Sequence, residues 1–202
     1  MIKSPALDQH KGIKHGFLTR QDGVSQDLYA SLNCGYGADE ANENVTKNRA
    51  IALERMGSPQ AKLVTGYQIH SANVEIVKAP WNCPEDAPQV DALVTDQPEI
   101  ALGIMTADCA PVLFADPNAQ VIGAAQAGWQ GAIKGVTDST IDAMESLGAT
   151  RSNIYTAIGP CIAQASYEVG AEFAHRFFED TEDNMTYFIP SPREGKFLFD
   201  LR

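Results

Sequence analysis

Four short apolar segments lie close together in the middle of the chain, at residues 91–95, 101–106, 112–115 and 121–125. Segments of this length, bounded by polar connections with Pro, are typical of strands. An amphipathic helix is predicted directly after them, at residues 131–147, and Gly148 ends it. Because an amphipathic helix buries its apolar side against neighbouring elements, the alternation of strands and helices predicts a mixed α/β fold.

The rest of the chain repeats the alternation of strand and helix. Further strands are predicted at residues 13–19, 62–67, 73–78 and 153–158, and further helices at residues 42–56 and 169–178. Asp39 or Asn42 is expected to cap the first helix. No internal repeat or Gly/Ser-rich linker divides residues 1–202, which predicts a single domain. The apolar residues 196–201 either pack as a terminal strand or begin an element of a longer chain, and we expect that the chain lacks further C-terminal elements of such a domain.

The charge balance excludes some classes of partner. Fifteen Lys and Arg against 26 Asp and Glu give a net charge of −11, which argues against general binding to nucleic acids or membrane surfaces. The 55 residues from 79 to 133 contain no Lys or Arg and seven acidic residues. No secretory signal or bilayer-length apolar stretch is present, so we predict a cytoplasmic protein. The four widely spaced Cys form no CxxC pair, which predicts neither a disulfide scaffold nor a zinc ribbon.

Two side chains are candidates for chemistry. Cys109 precedes a predicted strand, and either a buried structural Cys or a metal-binding or nucleophilic thiolate fits this position. A thiolate needs nearby positive charge, which the segment around Cys109 does not supply. His70 lies in a polar turn between two predicted strands, where a structural role and a ligand role are both open.

A glycine-containing turn and one arginine are weaker candidates. Gly128 and Gly131 enclose a predicted turn from a strand into a helix, a place where backbone N–H groups hold anions in other proteins. Trp129 in this turn packs on the core in the alternative interpretation. Arg49, on the polar side of the first helix, either contacts a phosphate or carboxylate or is solvated.

Several segments together carry a resemblance. They are His15-Gly16-Phe17-Leu18-Thr19-Arg20, Gly23-Val24-Ser25, Ser31-Leu32-Asn33, Asn48-Arg49, Gln68-Ile69-His70-Ser71, Asp91-Ala92-Leu93-Val94-Thr95, Ala107-Asp108-Cys109-Ala110-Pro111, Ala127-Gly128-Trp129, Ile158-Gly159-Pro160-Cys161-Ile162 and Tyr167-Glu168-Val169-Gly170. In order and spacing the chain resembles the laccase-domain family, called multicopper polyphenol oxidases in older usage and purine nucleoside phosphorylases more recently. The resemblance implies an α/β (α+β) layered sandwich, with mixed sheets flanked by helices and a cysteine-hydrolase-like fold.

The resemblance also implies a zinc site made by two His and one Cys. His70 matches the first ligand and Cys109 the second, whereas Gln126 stands where the family motif has the other His. Gln130 stands where the same motif has an Arg. Zinc binding is therefore expected to be weakened, and copper is implied only by the older family name. Asn33, Arg49, Gly128 and Trp129 are the residues for which we predict substrate contacts.

The leading hypothesis is a purine nucleoside enzyme. The activities that the resemblance implies are phosphorolysis of adenosine, inosine and methylthioadenosine and deamination of adenosine, with a nucleoside and phosphate as small-molecule partners. In this hypothesis Asp108 transfers a proton and Arg49 holds phosphate. The alternatives are a metal-free hydrolase or deamidase with Cys109 as nucleophile and His70 as base, and a non-catalytic nucleoside-binding protein. A copper phenol oxidase is the weakest hypothesis, since four scattered Cys and four His without a His-x-His pair do not favour a multi-copper cluster. The oligomeric state is left open.

Overall fold

The computed structural model describes residues 1–37, 39–179 and 181–202. The strands in these ranges are β1 (Lys62–Thr65), β2 (Val74–Ile76), β3 (Ala92–Thr95), β4 (Ile100–Gly103), β5 (Ala110–Asp116), β6 (Val121–Ala127), β7 (Tyr155–Ile158), β8 (Glu168–Gly170), β9 (Phe188–Pro190) and β10 (Lys196–Phe199). The α-helices are α1 (Pro5–Asp8), α2 (Asn42–Arg55), α3 (Trp129–Ile133), α4 (Val136–Ser146) and α5 (Ala171–Phe178).

A mixed sheet of five strands, in the order β2-β3-β6-β5-β7, forms the centre of the fold. β2 and β3 are parallel, and the other neighbours are antiparallel. β3 is buried along its whole length, which explains why its sequence is almost continuously apolar. The prediction of a layered α/β fold with mixed sheets is confirmed.

Helix α4 covers one face of this sheet. Val94, Val112 and Phe114 point toward this face and pack in one buried cluster with Val136 and Met144 of the helix. Both Val136 and Met144 are fully buried. Burial of such side chains stabilises the fold by roughly 1.5–3 kcal/mol each.

The opposite face is covered by the N-terminal segment and by a second sheet. Leu7 of α1 and Phe17 pack against Ala115 and Ala157 of the central sheet. The parallel pair of β1 and β4 packs nearby, where Val64 and Leu93 belong to one buried cluster.

A C-terminal sheet of three strands, in the order β8-β10-β9, packs with α5 around an aromatic cluster. The ring centroid of Phe199 lies 4.8 Å from that of Phe188 and 4.9 Å from that of Phe177. Trp129 joins the cluster through Phe173, at 4.9 Å. These contacts attach α3, which follows the central sheet, to the C-terminal elements.

The predicted strand at residues 13–19 is wrong. Only Phe17 is paired there, in an isolated antiparallel bridge with Ile2. His15 is buried, and its Nε2 accepts a hydrogen bond from the Ser4 amide at 2.8 Å. The alternating sequence pattern reflects burial of the side chains on one side of this extended segment. Such burial does not require hydrogen bonding to a neighbouring strand.

Two predicted helices have different bounds. The helix at residues 131–147 is divided into α3 and α4 because Gly135 takes a left-handed conformation with φ of 79°. The predicted helix at residues 169–178 begins only at Ala171, since Glu168–Gly170 pairs with β10. The expected cap of α2 is also wrong, because Ala41 occupies the N-cap position.

No helix within residues 1–37, 39–179 and 181–202 is long and apolar enough to cross a membrane.

Candidate functional site

The buried carboxylate of Asp91 holds the turn that presents His70. It accepts hydrogen bonds from the backbone amides of Ile69, His70 and Ser71, at 3.2, 2.9 and 2.6 Å. The Ser71 hydroxyl donates a fourth, at 2.8 Å. His70 itself has a φ of 60°, a left-handed conformation that is uncommon for a residue other than glycine. Asp91 therefore fixes both the position and the unusual backbone conformation of His70.

Cys109 and Gly128 lie opposite each other where β5 begins and β6 ends. The register pairs Ala110 with Ala127, which places the two residues one step beyond the paired strands. The Cys109 Sγ lies 3.8 Å from the His70 Nε2. A Cβ on Gly128 would lie 2.8 Å from that sulfur and 3.0 Å from the His70 ring. Glycine is needed here because any side chain would separate the thiol from the imidazole.

Gln126 is the third residue of this group. It is buried in β6, and its backbone amide donates to the Asp91 carbonyl at 2.8 Å. Its side-chain Nε2 lies 3.1 Å from the His70 Nε2, and since an amide nitrogen only donates, the imidazole nitrogen accepts. The Gln126 Oε1 accepts from the Gln68 Nε2. The structure thus brings together His70, Cys109 and Gln126, the three residues predicted to surround a metal.

His70 and Cys109 are placed as two zinc ligands would be, but Gln126 does not supply a third. Zinc bonds of about 2.3 Å to sulfur and 2.0 Å to nitrogen, at a tetrahedral angle, separate the two atoms by about 3.5 Å, close to the observed 3.8 Å between Cys109 and His70. Gln126, however, directs its amide N–H groups toward His70. Among the described residues, no three His, Cys, Asp or Glu side chains are grouped so that they would hold a metal ion. The donor set therefore does not fit a three-ligand zinc site.

Asp108 and Tyr167 lie beside this group. Asp108 is exposed, and its carbonyl accepts from the Ile162 amide at 3.0 Å, which ties its loop to the segment after β7. Burial raises the pKa of the Tyr167 phenol, and the neighbouring Cys109 and Asp108 raise this pKa further.

Arg49 is half-buried and forms no ion pair with another described residue. Its Nε donates to the Cys34 carbonyl at 2.8 Å and its Nη2 to the Thr65 hydroxyl at 3.0 Å, while its guanidinium lies 4.2 Å above the Tyr36 ring. Burial lowers the pKa of this guanidinium from its ordinary value. Within the described part of the chain, no carboxylate pairs with it, and an unpaired guanidinium is a group that can bind an anion.

A cavity of about 720 Å³ lies beside the segments that carry Cys34 and Cys109. Cys34 and Thr65, the hydrogen-bond partners of Arg49, line one part of it, and Ala107 and Pro111, on either side of Cys109, line another. Among the described residues, the side chains of Arg49, His70 and Cys109 themselves do not line it. The volume is within the range of small-molecule sites.

The other residues predicted to contact substrate have structural partners. The Asn33 amide donates to Glu40 at 2.7 Å and its Oδ1 accepts from the Gly35 amide. Trp129 packs on Phe173, and the Arg176 guanidinium lies 5.5 Å from its ring. Gly128 allows the close approach of the thiol and imidazole, and Gln130 lies half-buried in α3. Contact of these residues with substrate stays a prediction.

The family model described as multi-copper polyphenol oxidoreductase laccase matches residues 14–202. The chain belongs to this family. A purine nucleoside phosphorylase from Streptomyces coelicolor is 40% identical over 165 residues, covering 82% of this chain and 68% of that protein. One from Bacteroides thetaiotaomicron is 34% identical over 209 residues, covering 100% of this chain and 77% of that protein. The chain spans about two thirds of the length of the first of these relatives.

A solved structure has the same fold. The crystal structure of a Neisseria meningitidis protein of the DUF152 family superposes with a TM-score of 0.77 and 36% identity, over 90% of this chain and 71% of that one. The resemblance to the laccase-domain family that the sequence motifs carry is therefore confirmed.

Sequence reasoning missed three side chains of this laccase-domain site. Asp91, Gln68 and Tyr167 stand inside the segments that carry the resemblance, but no role was predicted for any of them. A signal existed for Asp91, because an acidic residue at the start of an apolar strand, such as that at residues 91–95, needs a buried hydrogen-bonding partner. Gln68 and Tyr167 gave no comparable signal.

Proposed function

We propose that this laccase-domain chain is a purine nucleoside phosphorylase, with phosphate held at Arg49 and the nucleoside in the neighbouring cavity. The observation that carries the proposal is the half-buried guanidinium of Arg49, which has no carboxylate partner in the described residues and whose hydrogen-bond partners, Cys34 and Thr65, line a 720 Å³ cavity. The names of the relatives from Streptomyces and Bacteroides support the same substrate class.

Arg49 is the phosphate-binding residue in this proposal. Two of its N–H groups are fixed by Cys34 and Thr65, so the guanidinium is held in place before an anion arrives. Stacking on Tyr36 restricts it further. A pre-organised guanidinium binds two oxygens of one phosphate and loses little side-chain entropy in doing so.

The reaction exchanges one bond of the nucleoside. A phosphate oxygen forms a bond with C1′ of the ribose as the bond from C1′ to the purine nitrogen breaks, giving ribose 1-phosphate and the free base. The departing purine takes up a proton, and a carboxyl group close to the ring is suited to supply it. We propose Asp108 for this proton transfer and Tyr167, which lies near it, as a contact for the nucleoside.

His70 and Cys109 are proposed to orient the purine end of the substrate. Zinc, where a laccase-domain protein holds it through two His and one Cys, would supply a Lewis acid. Because position 126 is an amide in this chain, the proposed steps use only the protein's own side chains. Adenosine, inosine and methylthioadenosine are the proposed nucleosides, and deamination of adenosine is a second activity proposed for the same site.

Turnover of inosine with and without phosphate tests the proposal. Release of hypoxanthine and ribose 1-phosphate in equal amounts, dependent on phosphate, is the expected result. Adenosine and methylthioadenosine are measured in parallel, and ammonia release from adenosine reports deamination. If purified, folded protein releases no base from any of the three at millimolar phosphate, with or without added zinc, phosphorolysis is ruled out for this chain.

A second candidate function is hydrolysis of an amide or ester by the thiol. The observation that favours it is the 3.8 Å separation of the Cys109 Sγ and the His70 Nε2, since thiol–imidazole pairs are often loose before substrate binds. Alkylation by iodoacetamide tests it, with labelled residues identified by mass spectrometry. Labelling of Cys109 at neutral pH no faster than that of the exposed Cys83 would rule out an activated thiolate.

A further inference from the structure

A continuous chain of hydrogen bonds runs from the backbone of Met105 to the imidazole of His70. The Gln68 amide forms two bonds with Met105, in which its Oε1 accepts from the Met105 N–H at 2.9 Å and its Nε2 donates to the Met105 carbonyl at 2.8 Å. The same Nε2 donates to the Gln126 Oε1. The Gln126 Nε2 then donates to the His70 Nε2 at 3.1 Å.

The backbone of Met105 sets the direction of every donor in this chain. If the Gln68 amide were reversed, its nitrogen would face the Met105 N–H and its oxygen the Met105 carbonyl, so both bonds would be lost. With Gln68 fixed, the Gln126 oxygen must face Gln68, and the Gln126 N–H groups must face His70. The orientation of Gln126 therefore follows from a backbone peptide and is not free to change alone.

This direction places N–H groups where a metal would have to lie. A zinc ion bound by His70 and Cys109 would need the His70 Nε2 lone pair, which accepts from Gln126 instead. An amide nitrogen has no lone pair to offer, and the amide oxygen, which is a ligand for hard cations, is turned away. Ligation through that oxygen would break the hydrogen bond from Gln68 to Gln126 and the one from Gln126 to His70.

We propose that the Gln68–Gln126 amide pair takes the place of the third metal ligand, so that this chain holds His70 and Cys109 in position without resident zinc. The proposal concerns the occupancy of the site and does not depend on the proposed nucleoside activity. It makes Gln126 a positioning residue for His70, and Gln68 the residue that fixes Gln126.

Zinc affinity of chelator-treated protein tests the proposal, measured by titration calorimetry and by competition with a fluorescent zinc chelator. Gln126→His should bind one zinc per chain at least about 100-fold more tightly than the unmodified chain, because even loss of an outer partner of a ligand typically weakens a metal by 10- to 100-fold. With cobalt(II), Gln126→His should show thiolate-to-metal charge-transfer absorption, and Gln126→His combined with Cys109→Ser should not. Gln21→His, on an exposed residue, is the matched control and should leave zinc affinity unchanged.

A second variant leaves Gln126 in place. Gln68→Ala removes the group that holds the Gln126 oxygen away from His70, so it should raise zinc affinity about tenfold in the unmodified chain and give no increase in the Gln126→His background. Circular dichroism and the urea midpoint confirm that each variant is folded. Stoichiometric zinc on the unmodified chain, with an affinity within tenfold of that of Gln126→His, would overturn the proposal. A folded Gln68→Ala variant without any gain would overturn the role of Gln68.

Discussion

Replacing Asp91 with Asn changes one oxygen of a fully buried side chain to a nitrogen and leaves its volume almost the same. The Oδ1 atom accepts only the His70 amide, at 2.9 Å, whereas Oδ2 accepts the amides of Ile69 and Ser71 and the Ser71 hydroxyl. Asn keeps one acceptor for three donors and directs its own N–H groups at the His70 N–H. Loss of one hydrogen bond to a charged group costs about 1.5–3 kcal/mol.

The three remaining bonds also weaken, because a neutral amide oxygen accepts less strongly than a carboxylate. Burial of Asn is less costly than burial of a charged side chain, which offsets part of the loss. We therefore expect Asp91→Asn to lower the free energy of unfolding by about 2–4 kcal/mol. With an m-value of about 2 kcal/mol/M for urea, the midpoint falls by about 1–2 M.

Urea unfolding followed by tryptophan fluorescence and by circular dichroism measures this shift. Asp96→Asn is the matched control, because Asp96 is a partly exposed carboxylate that pairs with Lys78 on the surface, where ion pairs contribute little. Its midpoint should stay close to that of the unmodified chain. If Asp91→Asn moves the midpoint no further than Asp96→Asn does, the carboxylate does not hold the His70 turn.

Three further changes have expected outcomes. Burial lowers the pKa of His15, so the unfolded chain binds a proton at a higher pH than the folded chain. The free energy of unfolding should therefore fall as the pH drops below about 6.5 toward the folded-state pKa. His15→Gln should make the urea midpoint less sensitive to pH between 7.5 and 5.5, and an unchanged sensitivity would contradict a lowered pKa of His15. Arg49→Met should raise the KM for phosphate at least about tenfold through loss of charge-assisted hydrogen bonds, whereas Arg193→Met, on an exposed side chain, should not. Phe199→Ala should lower the free energy of unfolding by about 3–5 kcal/mol, as expected for loss of a buried ring, and thermal unfolding measures this loss. Leu28→Ala, on a side chain that is 83% exposed, is the control and should show no comparable loss.

The elements that the sequence predicts well are those whose pattern reflects local burial. The apolar segments at 91–95 and 121–125 form neighbouring strands of the central sheet, as their burial pattern predicts. The segment at 13–19 buries His15 and Phe17 on one side, but only Phe17 is paired there, because strand pairing depends on residues far away in sequence. The break at Gly135 was visible as a glycine, yet only its left-handed conformation divides the helix.

The site was predictable where residue type alone restricts a role. A His in a polar turn and a Cys before a strand pointed to His70 and Cys109, and the family motif pointed to Gln126. The role of Gln68 was not accessible in this way, because it arises from the direction in which two amides point across a separation of 58 residues. Direction of this kind is set by tertiary contacts with the Met105 backbone and leaves no trace in residue spacing.

The backbone around His70 is fixed by contacts within the polypeptide, and Gln126 then acts on the imidazole side chain. Asp91 fixes the turn, the pairing of β5 with β6 places Cys109 opposite Gly128, and the missing side chain at Gly128 lets the sulfur approach the ring. None of these contacts involves the side chain at position 126. A change of the side chain at position 126 therefore leaves the surrounding backbone the same, and Gln126→His would meet two side chains, His70 and Cys109, whose separation of 3.8 Å a zinc ion would bridge.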